Sequence, residues 1–246
     1  MALAAAAAVV LGVVLTSSSG DTDTDISIVR PKASPTIGNP TSPTPTPTAV
    51  PTAPPVLEAV IHGFQYPIAG ACLPSREDLM PNAPREYRSG VHEGIDFYDG
   101  GCCVPIERGT PVLAAKTGVV IRFDHDYQDI TAEEMDALLA LTQQQGSTDA
   151  ATLDRLRGRQ VWLDHGNGIV TRYAHLLAVE DGIAKGMVVR AGQVVGYVGN
   201  SGTPEGVSDP DLENHLHFEI RVGAGYLGEG LSPARVRRLC EKAFSP

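Results

Sequence analysis

Three short stretches of this 246-residue chain gather side chains that move protons and hold metal ions. In His92-Glu-Gly-Ile-Asp96 an imidazole stands four residues ahead of a carboxylate. Side chains alternate along a strand, so His92, Gly94 and Asp96 would share one face, and Gly94 would leave room for an ion between the other two. In His215-Leu-His217 both imidazoles share a face while Leu216 and Phe218 point to the core. Tyr173-Ala-His175 repeats the pattern, with Ala174 turned away. Neutral imidazoles and a carboxylate suit zinc in a tetrahedral array that keeps one place for water when the ion is catalytic. Such an ion acidifies its water toward a pKa of roughly 7. The two histidines left over would suit proton handling and oxyanion stabilisation. Residue types alone do not say which histidine does which.

These side chains need strands to aim them. Short β-branched runs separated by glycine recur in TPVLAAKTGVVIRF, QVWLDHGNGIVTRYAHL, MVVRAGQVVGYVG and HLHFEIRV. They predict a mainly β, antiparallel body. Asn167-Gly168 between two such runs favours a tight type I′ hairpin. One stretch breaks the β pattern. Thr131-Ala-Glu-Glu134 is a capping box opening a helix with Met135, Leu138 and Leu139 on one face, ended by Gly146. Ser147 or Thr148 would cap a second helix carrying Leu153 and Leu156, stopped by Gly158. Residues 127–158 therefore read as a helical hairpin inserted between two strands, either covering a groove or packing on the body.

HEGID, then YAHL, then HLHFEIRV, in that order, resembles the HxxxD, YxHL and HxH motifs of the lysostaphin-type zinc metallopeptidases, the peptidoglycan endopeptidases. The glycine-framed runs GTPVLAAKTGVV and AGQVVGYVGNSG are similar to that family's strands, and the likeness spans roughly residues 60–225. The resemblance implies a small antiparallel β-sheet metallopeptidase body with an open groove. It implies one Zn2+ held by His92, Asp96 and His217, with His175 and His215 catalytic, and hydrolysis of peptide bonds in peptidoglycan stem or cross-link peptides. Two features depart from the pattern: the helical hairpin, and the long acidic loop SGTPEGVSDPDLEN before the last motif.

Other residues have plainer readings. Glu219 shares a face with His217 and either orients that ligand or is a cross-strand partner. Tyr173 leans toward hydrogen bonding a reaction intermediate. Arg85 and Arg88 read as solvated loop charges, and His62, His125 and His165 as structural.

Composition sets the boundaries. A formal net charge of −10 argues against nucleic acid as a partner. Residues 1–16 are apolar and shorter than the ~20 residues of a spanning helix, so they read as a signal peptide or a membrane anchor. Residues 17–55 are rich in Pro and Thr and read as a disordered linker. Residues 56–246 form the expected metallopeptidase domain. The chain is expected to be exported to the cell envelope or beyond, and to act as a monomer on peptidoglycan peptides. Four cysteines in an exported chain fit disulfides. Neighbours rarely pair, so Cys72 is expected to take Cys102 or Cys103, and Cys240 the other.

Overall fold

The computed structural model describes residues 61–246. The apolar start and the Pro/Thr linker lie outside the described residues. Among the described residues no helix is long and apolar enough to cross a membrane.

The strands β1 (Pro84–Arg85), β2 (Gly90–Val91), β3 (Ile95–Tyr98), β4 (Pro111–Leu113) and β5 (Gly118–Phe123) come first. Helices α1 (Ala132–Gln145) and α2 (Ala150–Leu156) interrupt them. The chain resumes with β6 (Val161–Asp164), β7 (Ile169–Ala174), β8 (Leu176–Val179), β9 (Val188–Val189) and β10 (Val194–Val198). It closes with α3 (Pro204–Ser208), β11 (His215–Val222), β12 (Gly225–Tyr226) and α4 (Pro233–Ala243). The main sheet runs β12-β11-β7-β6-β5-β9, with β3 on the free flank of β11, and a second sheet runs β4-β10-β8. Every pairing is antiparallel.

β11 is the strand on which the body is built. It pairs with β7 along one edge and with β3 and then β12 along the other. Leu216, Phe218 and Ile220 alternate into the core. Each such side chain removed from water stabilises the fold by about 1.5–3 kcal/mol. His215, His217 and Glu219 occupy the opposite face and are buried as well, because the insertion and the loops wall that face.

The insertion forms as two helices. The Thr131 side chain accepts the Glu134 N–H, and Gly146 ends α1 at φ +64°. The cap of α2 is Asp149, which accepts from the backbone of Ala151 and Thr152, rather than Ser147 or Thr148. Thr148 instead donates its hydroxyl to the Arg88 carbonyl. Arg155 on α2 grips Glu134 on α1 through Nε and Nη2 at 2.6 and 2.9 Å. Ile130, Met135 and Leu156 make a small separate core, and Val207 of α3 packs against it.

Two sequence expectations change. Asn167 and Gly168 have positive φ, but so does Gly166, and the His165 N–H to Ile169 carbonyl bond closes a three-residue loop in place of a two-residue turn. Cys72 is bridged to Cys103, whereas Cys102 and Cys240 remain thiols. Cys103 turns outward at φ +69° while Cys102 packs fully into the core, as does Cys240, so those two behave as small apolar side chains. Helix α4 adds a helical element beyond the insertion, marked by Ser232-Pro233 and the apolar spacing of Val236, Leu239, Cys240 and Ala243.

Candidate active site

The register of β3 on β11 does the first alignment. His217 lies opposite Asp96, and His215 opposite Tyr98, so both pairs face away from the Leu216–Phe97 core layer. The Tyr98 ring stacks on His215 at 4.1 Å. His92 precedes β3 and comes in from a bend rather than by strand alternation. Gly94 makes that bend workable. A Cβ there would lie 2.5 Å from the Phe218 carbonyl oxygen and 2.9 Å from His217 Cε1. The glycine therefore makes room for the His217 ring, not for an ion between His92 and Asp96.

His92, Asp96 and His217 meet at one point, and all three are buried. His92 Nε2 is 2.9 Å from Asp96 Oδ1 and 2.9 Å from His217 Nδ1, and His217 Nδ1 is 2.8 Å from Asp96 Oδ1. The outer nitrogens fix the tautomers. A carbonyl only accepts, so His92 Nδ1–H donates to Met80 O at 3.0 Å. His217 Nε2–H likewise donates to Glu219 Oε1 at 3.0 Å. With both rings neutral, the inner nitrogens carry lone pairs toward each other and toward a carboxylate oxygen. Three acceptors without a hydrogen among them repel, and a cation in their midst satisfies all three. The donor set, two imidazoles and a carboxylate, fits a zinc-type ion.

Burial alone would raise the Asp96 carboxyl, but His92 and His217 outweigh it and hold it well below the ordinary carboxylate range. Burial pulls His92 down to about 4, so this imidazole is neutral at pH 7. Burial alone would lower His217, but its bonds to Asp96 and Glu219 outweigh it and raise this imidazole above its ordinary value, so an ion binding here would displace its Nδ1 proton, and the other two donors favour that exchange. The other Asp96 oxygen, Oδ2, accepts from Arg85 Nη2 at 2.8 Å. Arg85 is thus no solvated loop charge. Nor is Arg88, a buried side chain whose Nη2 donates to Val91 O at 2.5 Å. Neither contact leaves a mark in the residue pattern, beyond the general need of a ligand carboxylate for a partner on its second oxygen.

His175 and His215 border the same point. Their rings are 4.8 Å apart, and His175 is 5.6 Å from His217. His175 Nδ1–H donates to Ser201 O and His215 Nδ1–H to Glu213 O, both at 2.8 Å. Each therefore offers a bare Nε2. Burial, with His215 and His217 nearby, lowers His175 well below an ordinary imidazole, and burial lowers His215 also. These groups line an open cavity of about 660 Å3, one side of which is formed by Leu139, Leu153 and Leu156 of the insertion.

The Tyr173-Ala-His175 expectation needs correcting. Tyr173 pairs with Phe218 and faces the core, where its hydroxyl accepts from the Ala115 N–H at 2.7 Å. Ala174 faces the site opposite His217. His175 returns to the site because it leaves the strand at φ +59°, a conformation few non-glycine residues adopt. His62, His125 and His165 are absent from the cavity lining. His165 bonds Thr117 O and Thr171 Oγ1.

The profile of peptidase family M23 matches residues 90–228, more than half of the chain, with His92, Asp96, His175, His215 and His217 inside the match and Arg85 just before it. The chain belongs to peptidase family M23. This M23 peptidase is 38% identical over 79 residues to the DD-carboxypeptidase/endopeptidase Mpg of Neisseria meningitidis serogroup B, a stretch covering 32% of the chain and 15% of that protein. It is 31% identical over 140 residues to the peptidoglycan DD-endopeptidase ShyA of Vibrio cholerae serotype O1, covering 56% of the chain and 22% of that relative. The M23 peptidase thus spans less than a quarter of either relative's length. Among solved structures it is similar to the catalytic domain of lysostaphin from Staphylococcus simulans, at 20% identity and a TM-score of 0.37, covering 63% of this chain and 80% of that one.

Proposed function

We propose that this M23 peptidase is a zinc-dependent endopeptidase that hydrolyses peptide bonds in peptidoglycan stem or cross-link peptides, outside the cytoplasm. The observation that carries the reading is the convergence of three buried metal-ligating atoms from His92, Asp96 and His217 at the floor of an open groove. Membership of family M23 and the likeness to the peptidoglycan DD-endopeptidase ShyA support the substrate class.

His92 Nε2, Asp96 Oδ1 and His217 Nδ1 would hold one zinc ion. When bound, it would supply Lewis acidity toward a scissile carbonyl and toward water. The rest of the chemistry belongs to the chain. The bare Nε2 of His175 or His215 takes the proton from attacking water, and the Nδ1–H bonds to Ser201 and Glu213 keep each ring from turning. The imidazole that gains the proton becomes a donor at Nε2. It can then stabilise developing oxygen charge or return the proton to the leaving amine. Tyr98, stacked on His215, restricts that ring further.

Incubation of purified protein with peptidoglycan sacculi, followed by mass spectrometry of released muropeptides, tests the proposal. Peptide-cleaved products are expected, and chelator or His217→Ala should abolish them. Sacculi and cross-linked dimers that stay intact across several wall chemistries, with zinc bound, would defeat it.

A further inference from the structure

The insertion ends on a residue that reaches the metal centre. Arg157, the C-terminal cap of α2, is buried. Its Nε donates to Glu219 Oε1 at 2.5 Å, and its Nη2 to Glu93 Oε2 at 2.8 Å. Glu219 Oε1 is the same atom that accepts the His217 Nε2–H at 3.0 Å. One oxygen therefore joins the guanidinium of the insertion to the imidazole that faces Asp96. The remaining oxygen of Glu219 is held more loosely, by Arg221 at 3.2 Å and Arg172 at 3.4 Å. The backbone of Arg157 has a second role. Its carbonyl accepts the His175 N–H at 2.9 Å. Gly158 follows at φ +68°, and a Cβ there would strike the Ser201 carbonyl that receives the His175 ring.

We propose that Arg157 is a positioning residue that makes the helical insertion part of the metal centre, fixing the Glu219 carboxylate and through it the His217 ring. The proposal rests on the metal reading of His92, Asp96 and His217. A planar guanidinium serves Glu219 and Glu93 at once because its donors are rigidly splayed. Without it, Oε1 of the buried Glu219 would keep only His217 itself, the far oxygen its longer contacts, and the rotamer that holds Nε2 of His217 would loosen. Loss of such an outer partner weakens metal affinity by about 10-fold to 100-fold.

The test is zinc affinity by competition with a chromogenic chelator, with the visible absorption spectrum of the cobalt(II)-loaded protein alongside. Arg157→Met should weaken zinc by about 10-fold or more and alter the cobalt bands. Arg157→Lys keeps the charge but not the fork, and should fall between Met and the natural residue. Arg155→Met cuts the tie to Glu134 between the helices, leaves Arg157 in place, and should bind zinc as the natural chain does. A folded Arg157→Met with unchanged affinity and bands overturns the proposal. So does an Arg155→Met as weak as Arg157→Met, since the effect would then be general loosening of the helices. If Arg157→Met fails to fold, Arg157→Lys decides: a weakened site supports the proposal and an unchanged one overturns it. Absence of zinc binding in the natural chain would instead defeat the metal reading and take this inference with it.

Discussion

Gly94→Ala should damage the metal site by one methyl group. The backbone at Gly94 is not in the left-handed region, so alanine meets no conformational penalty there. The cost is steric. Its Cβ would lie 2.5 Å from Phe218 O, 2.9 Å from His217 Cε1 and 3.0 Å from His217 Nε2. The Phe218 carbonyl is fixed by the β3–β11 pairing, so the His217 ring is what can yield. Yielding breaks its bond to Glu219 and swings Nδ1 off the point shared with His92 and Asp96. Overpacking of this kind costs about 1–3 kcal/mol, or a fall in Tm of about 2–12 °C for a domain this size. Loss of the Glu219 bond that orients His217 should weaken zinc by about 10-fold to 100-fold. Gly101→Ala is the matched control: no atom lies within 4 Å of its added Cβ and its φ is ordinary. Thermal melts of the metal-free proteins and chelator competition read both quantities. Gly94→Ala with the melting temperature and zinc affinity of Gly101→Ala would refute the steric reasoning.

Alanine at His175 or His215 should cut turnover by about 10²- to 10⁴-fold and leave zinc affinity within a few-fold, whereas alanine at His92, Asp96 or His217 should remove the metal; turnover and metal content measured on the same preparations separate the two groups. The proposed mechanism needs the proton-accepting imidazole neutral, and burial lowers both His175 and His215 from the ordinary 6.5. The neutral form therefore persists as pH falls below 6.5, and the acid limb of kcat/KM at saturating zinc should lie beneath that value; a limb above 7 would contradict the assignment. Burial pushes Cys240 up to about 12 and raises Cys102 as well. The native chain should therefore resist maleimide, and denaturation without reductant should expose two thiols, mapped by mass spectrometry to those positions; labelling at Cys72 or Cys103 would contradict the disulfide.

Much of the site was legible because strand periodicity and motif order are local properties. His215-Leu-His217 alternates across β11 as its residue types require, and the capping box at Thr131 forms as written. What stayed hidden depends on long-range closure. His175 reaches the groove through a single left-handed residue, which no alternation rule anticipates, while Tyr173 stays on the core face of β7 opposite Phe218. Arg85 and Arg157 meet their carboxylates across 11 and 62 residues of sequence, and an arginine in a loop carries no sign of where its guanidinium will end. The choice of Cys103 over Cys102 turns on which of two neighbours faces the core.

β11 has one further consequence. Leu216 and Phe218 anchor its inner face, and His217 and Glu219 occupy its outer one, on a single stretch of backbone. Ion uptake and the melting of this strand are then linked equilibria. An ion that binds only the folded chain adds about 2.7 kcal/mol of stability at a hundredfold excess over its dissociation constant. On the proposed reading the folded fraction becomes a function of free zinc, and zinc starvation would cost the protein itself, through unfolding and proteolysis, as well as its activity.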